Sequence, residues 1–262
     1  MNHAMVAIPL DVRLMNVTSM LLLLVFLALA FFSAAWGLSR LPVFDIKGVV
    51  VVGDVTHNNA VTLRADVLPH LAGTLFSVDL ARVREAFESV PWVRSAVVRR
   101  QFPDRLQVAL QEHRAVAYWG DESESRLLND FGEVFEANVG EVEQDLLPQL
   151  AGPQGQAAEV LAMYRLLVPM FEAVDVGVDA VELSSGGSWR VRLETDAILE
   201  LGRGGEHEIS MRVQRFLATL DQVVTRYRRR IDSVESADLR HENGYAIRLR
   251  GVSTTALAAA KR

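Results

Sequence analysis

The chain has 262 residues, a formal charge of −6 at pH 7 and no cysteine. That length accommodates one medium domain or two small ones. The absence of cysteine rules out a disulfide framework, a thiolate nucleophile and a zinc–thiolate centre, and the acidic balance gives no bulk attraction to nucleic acid.

Residues 1–13 form a short mixed tail. Leu14 to Ser39 then carries no charge and includes Leu21, Leu24, Phe31 and Phe32. Val17 to Trp36 alone is about 20 residues, which as helix covers the roughly 30 Å hydrocarbon layer. A transmembrane helix over 14–39 is predicted, with Leu21, Leu24, Phe31 and Trp36 as membrane-anchor residues. A cleaved signal peptide competes, because Ala28-Leu29-Ala30 and Ser33-Ala34-Ala35 offer small-residue cleavage sites. The apolar run is longer than a signal core, and Trp36 sits where an interfacial anchor belongs, so the retained span is preferred. Arg13 on one side and Arg40 with Lys47 on the other leave the orientation undecided by charge.

After Pro42, Phe44 to Val52 reads as a strand with a β-branched run. A helix near Asn59–Leu71 places Leu63, Val67 and Leu71 on one face. A second begins at the N-cap Asp79 and carries Leu80, Val83, Phe87 and Val90 until Pro91 stops it. Trp92–Arg100 and Arg105–Gln111 form a hairpin across Phe102-Pro103-Asp104. In its second strand Leu106, Val108 and Leu110 alternate with polar residues. The order is β-α-α-β-β. Phe102 either meets a partner or covers the edge of this small core.

From Ala115 the pattern shifts to strands: Val116–Trp119, Arg126–Asn129 and Val134-Phe135. A helix over Gln156–Ala173 is expected to kink or split at Pro169. Strands at Val176–Leu183, Trp189–Leu193 and Ala197–Leu201 precede an amphipathic helix, Glu208 to about Tyr227, with Ile209, Val213, Phe216, Leu217, Leu220 and Val224 facing inward. Strands near Ser233–Arg240 and Tyr245–Arg250 flank the turn Glu242-Asn243-Gly244, and the Ala-rich tail 253–262 reads as disordered.

No catalytic constellation emerges. The six histidines form no i, i+4 pair and no HExxH, and neither GxSxG nor a phosphate loop occurs. Metal ligands and cofactors are therefore not expected. Gly202-Arg203-Gly204-Gly205 reads as a strand-to-helix connection, since Glu206 and Glu208 would repel an anion there and suit the helix dipole themselves. Arg226, Arg228, Arg229 and Arg230 form either a solvated helix end or a contact for an acidic partner.

The unit after the span resembles a POTRA domain, a polypeptide-transport-associated module. The phrases Phe44-Asp45-Ile46-Lys47-Gly48-Val49, Pro91-Trp92-Val93, Phe102-Pro103-Asp104-Arg105-Leu106 and Glu112-His113-Arg114-Ala115-Val116-Ala117 carry that likeness. Asn129-Asp130-Phe131-Gly132-Glu133-Val134-Phe135, Leu147-Pro148-Gln149-Leu150-Ala151-Gly152-Pro153, Leu201-Gly202-Arg203-Gly204 and Ala237-Asp238-Leu239-Arg240 extend it, in the order found in the FtsQ/DivIB family. The resemblance implies an α+β protein: cytoplasmic tail 1–13, span 14–39, POTRA domain 43–113, and a mostly antiparallel β domain with two helices at 114–252. It implies a single-pass inner-membrane divisome protein whose larger part is periplasmic. It also implies partners FtsB and FtsL at the last strands and FtsK through the POTRA domain and span. Carried onto this sequence, the FtsB-contacting residues are Arg240, His241, Tyr245, Ile247 and Leu249. Two positions depart from the family pattern: His241 stands where a Tyr is usual, and Gly187 where some relatives carry Arg before Ser-Trp.

A last strand lying at a sheet edge offers unpaired N–H and C=O groups to which a partner strand adds, and Arg240 would clamp a carboxylate of that partner. The alternative is a membrane-anchored periplasmic enzyme acting on the cell wall. An outer-membrane POTRA transporter is disfavoured, for no run of barrel strands follows.

Overall fold

The structure, a computed structural model, describes residues 10–38, 42–53, 56–57, 74–120, 126–138, 147–241 and 244–252. The helix expected near Asn59–Leu71, the turn residues 242–243 and the tail 253–262 lie outside the described residues. The chain divides into two compact units, Met1–Glu112 and His113–Arg262.

In the first unit, α1 (Leu10–Leu38) is the apolar helix. Its stretch Asp11–Gly37 has a mean hydropathy of 2.5 and none of it is buried, so it is long and apolar enough to cross a membrane. Leu21, Leu24, Phe31 and Trp36 are each more than half exposed along it.

The strand expected from Phe44 starts later. Pro42–Phe44 make a 3-10 turn, Asp45 bridges to Thr74, and β1 spans Gly48–Gly53. Proline's fixed φ favours a turn here over a strand. α2 (Leu80–Glu88) begins at Asp79, whose carboxylate accepts from the N–H groups of Ala81 and Arg82. β2 (Val93–Gln101) and β3 (Arg105–Glu112) form the hairpin. The sheet order is β1-β3-β2, with β1 parallel to β3. Leu106, Val108 and Leu110 of β3 join Val49, Leu75, Val83 and Phe87 in one core, as the alternation required.

The second unit is built on a nine-stranded sheet. Its strands are β4 (Ala115–Trp119), β5 (Arg126–Asn129), β6 (Val134–Glu136), β7 (Gln149–Ala151), β8 (Val178–Leu183), β9 (Ser188–Leu193), β10 (Ile198–Arg203), β11 (Val234–Asp238) and β12 (Ala246–Leu249). Among the described residues they lie in the order β12-β11-β10-β9-β8-β7-β4-β5-β6. Three neighbour pairs are parallel, β10–β11, β4–β7 and β7–β8, and the rest are antiparallel.

Two helices supply the core with the inward faces of the strands. α3 (Ala157–Glu172) stays continuous through Pro169. The proline falls in the last turn, so it removes only one backbone bond near the helix end. α4 (Glu206–Arg226) buries Ile209, Val213, Phe216, Leu220 and Val224. Leu217 is only partly buried against the same cluster, which includes Trp189, Val191, Leu199 and Leu201. Trp189, 2% exposed, donates its indole N–H to the Gly204 carbonyl at 3.1 Å, so the strand-to-helix connection is fastened to the core. Gly202 and Gly204 take φ of +81° and +145° there, which only glycine adopts cheaply.

Candidate functional site

β12 pairs with β11 on one side only, so it is an edge of the large sheet among the described residues. Its side chains alternate. Tyr245, Ile247 and Leu249 turn toward the core, while Ala246, Arg248 and Arg250 are exposed.

The backbone direction follows from one hydrogen bond. Arg250 donates its N–H to the Ser233 carbonyl at 2.8 Å, toward β11. Successive residues of a strand send their N–H and C=O to opposite edges. Arg248 and Ala246 therefore face β11, and Ile247 presents its N–H and C=O to the open side. The extra residue that shifts the register lies in β11, between Val234 and Ser236, which leaves the alternation along β12 intact.

The residues singled out in the sequence take different roles. Tyr245 packs edge-on against Phe216 at 4.9 Å between ring centroids, and its hydroxyl meets Thr219 Oγ1 at 2.8 Å. Ile247 and Leu249 also rest on the core. These three side chains hold the strand in place and leave its backbone available. The Leu249 carbonyl already accepts from Val252 N–H at 3.2 Å. His241 is exposed in the bend that follows β11.

Arg240 is exposed but has a partner that sequence reading missed. Its Nε donates to Asp238 Oδ1 at 2.9 Å and its Nη2 to Oδ2 at 2.5 Å, a two-pronged clasp. The Arg240 N–H also donates to Asp238 Oδ1, at 3.0 Å. The signal was available, since residues two apart in extended chain share a face. Gly202 completes the arrangement: a Cβ there would come within 2.9 Å of Arg240 Cγ, so only glycine lets the arginine stem lie against β10.

Asp238 belongs to a charged row on the exposed face of the sheet. The register aligns Glu182, Arg190, Glu200, Asp238 and Ala246 across β8 to β12. Arg190 bonds Glu200 at 2.8 Å and Glu182 at 3.3 Å. Its pKa is raised, first by the hydrogen bond to Glu200. The row's charges end with Asp238 on β11, one strand in from the open edge, beside Arg240.

The Arg240 hydrogen bond, more than any other contact, holds Asp238 down at about 2 from its ordinary 3.8. A folded pKa below the unfolded one gives stability that is complete above the unfolded value and disappears as pH falls through the folded value. The clasp's contribution to stability is therefore expected to shrink as pH falls from about 4 to about 2, and the clasp itself to open around pH 2. Carbon-detected NMR of the Asp238 carboxyl should give a midpoint near 2. An Arg240→Ala change should return that midpoint toward 3.8, and a midpoint unmoved by it would remove the arginine as the cause.

Comparison with known proteins gives two family matches. The C-terminal domain of cell division protein FtsQ/DivIB matches residues 117–240, and the FtsQ-type POTRA domain matches residues 44–113. The cell division protein FtsQ of Thiomonas arsenitoxydans is 40% identical over 248 residues, covering 94% of this chain and 90% of that one. That of Burkholderia pseudomallei is 38% identical, covering 92% and 94%. The Bordetella pertussis protein is 33% identical, covering 91% and 92%.

Proposed function

The chain belongs to the FtsQ/DivIB family of cell division proteins, and on that premise we propose that it is a scaffold of the division complex that captures a partner strand on β12. The observation that carries the reading is the open side of β12, where Ile247 presents both backbone groups with no described strand beyond it. The proposed partner at this edge is FtsB, in complex with FtsL. FtsK is the proposed partner of the smaller unit and the span. The span would hold residues 1–13 in the cytoplasm and both folded units in the periplasm, and the work done there is adhesion without turnover.

The chemistry of the edge supports a division of roles. Backbone pairing along Ile247 supplies a partner contact that does not depend on side-chain identity. The Asp238–Arg240 clasp fixes the guanidinium beside that edge, where its remaining N–H groups address a carboxylate of the partner. His241 adds a ring at the same corner, and Gly187 contributes no side chain. The contact therefore rests more on backbone and on Arg240 than in relatives with a Tyr and a second Arg.

Co-purification tests this reading. Full-length protein in detergent is expected to retain the FtsB and FtsL ectodomains. Arg240→Glu should abolish retention, because it replaces the cation and sets a carboxylate beside Asp238. Circular dichroism should stay unchanged, since the side chain is exposed. Wild-type retention by a folded Arg240→Glu protein would remove Arg240 from the contact. Turnover of peptidoglycan by the purified protein would favour the cell-wall enzyme instead.

A further inference from the structure

Among its described residues, the smaller unit carries an aromatic cluster outside its core. Phe44 and Phe76 meet edge to face at 5.0 Å between centroids, and Phe76 leans on Phe102 at 5.8 Å. Phe102 is 62% exposed, Phe76 46% and neighbouring Val43 57%. The sequence allowed Phe102 either to meet a partner or to cover the edge of the core, and among the described residues the core of this unit does not include it. Two touching rings facing water, beside the exposed Val43 that precedes Phe44 in the chain, mark a docking surface.

Chain length says what lies opposite. The spanning helix ends at Leu38 and the 3-10 turn begins at Pro42. Four residues reach at most about 14 Å. The headgroup layer on each side of a bilayer is about 5–7 Å thick, so the tether holds Val43 and Phe44 at or just above it. Asp45 bridges to Thr74, and Leu75 donates its N–H to the Phe44 carbonyl at 2.7 Å. Phe76 is thereby fastened to the tethered turn. Phe102 follows through their ring contact, and Arg100 ties the hairpin to the same segment by donating to the Leu75 carbonyl at 2.6 Å.

Charge around the cluster agrees. Lys47 and Arg105 flank it, both mostly exposed, and share the single carboxylate of Asp104 at 3.2 and 3.9 Å. Arg100 adds a third cation, and Asp45 a second carboxylate. Aromatic rings edged by Lys and Arg form the composition that settles at membrane–water interfaces.

We propose that Phe76 and Phe102, with Val43, form a membrane-docking patch that seats the smaller unit on the lipid headgroup layer where the span emerges. The seat restricts the swing of this unit about its short tether. It acts whichever side of the membrane the span exits to, and independently of any partner at β12.

The chain has no cysteine, so Phe102→Cys gives a unique site for an environment-sensitive fluorophore in the full-length protein. Reconstituted into vesicles of phosphatidylcholine and phosphatidylglycerol, that probe should be quenched by headgroup-depth spin-labelled lipid. The quenching should be several-fold stronger than for a probe at Glu85→Cys, on the exposed side of α2. Phe76→Cys should reproduce the result, guarding against a local effect of one substitution. Equal quenching at the hairpin and Glu85 sites, with both open to iodide in the buffer, overturns the proposal. So does a hairpin probe shielded from iodide yet untouched by the lipid quencher, the signature of burial against protein.

Discussion

An Ile247→Pro chain is expected to fold normally and to bind the FtsB–FtsL ectodomains about 100-fold more weakly, a difference of roughly 3 kcal/mol. Ile247 turns its N–H away from β11, so proline there leaves the internal ladder intact. Edge strands accept proline on their open side for this reason. An incoming strand instead loses a donor and meets the pyrrolidine ring at the centre of the pairing. The informative control is Ile247→Ala, which removes most of the side chain from the core and keeps the backbone groups. If the alanine variant binds as poorly as the proline one, the contact runs through the side chain. If the proline variant binds like wild type, β12 is not the docking edge. Either result can be read by titration calorimetry on full-length protein in detergent.

Removing the support behind the strand should have a different signature. Phe216→Ala deletes a fully buried ring of α4 that packs both on the core and on Tyr245. Truncations of this kind cost about 3–5 kcal/mol. Amides of β9 to β11 should then exchange with deuterium roughly 100- to 5,000-fold faster, where exchange follows unfolding of the unit. β12 should lose more protection than β9, because Tyr245 loses its ring partner while β9 keeps strands on both sides. A destabilisation below about 1 kcal/mol would mean that the helix and edge strand are held by other contacts. The two variants separate cause from support: proline weakens capture while the unit stays folded, and alanine at 216 weakens capture by destabilising the unit.

Several features were readable in the sequence because their physics is local. The charge-free run fixed α1, the period of Ile209, Val213, Phe216, Leu220 and Val224 fixed α4, and the alternation in Leu106, Val108 and Leu110 fixed β3. Asp79 marked the start of α2 by its capping oxygen alone. The alternation of Tyr245, Ile247 and Leu249 put them on one face of β12, but only the structure shows that face turned to the core.

Other features were hidden by the same logic. β7 has three residues between Pro148 and Pro153, too few to show a period, yet it joins β4 to β8 in the middle of the large sheet. A local reading supplied no parallel partners for β10 and β11. It also left Arg240 free, when Asp238 holds it, and left Phe102 open between a partner and its own core.

The sequence by itself determined the apolar span and the longer helices and strands, because hydrophobic period and backbone preference act between residues a few positions apart. Only the tertiary structure decided that β12 lies at an edge and that three phenylalanines meet beside the membrane tether. Those outcomes depend on which distant segments become neighbours, and no window along the chain contains both sides of such a contact.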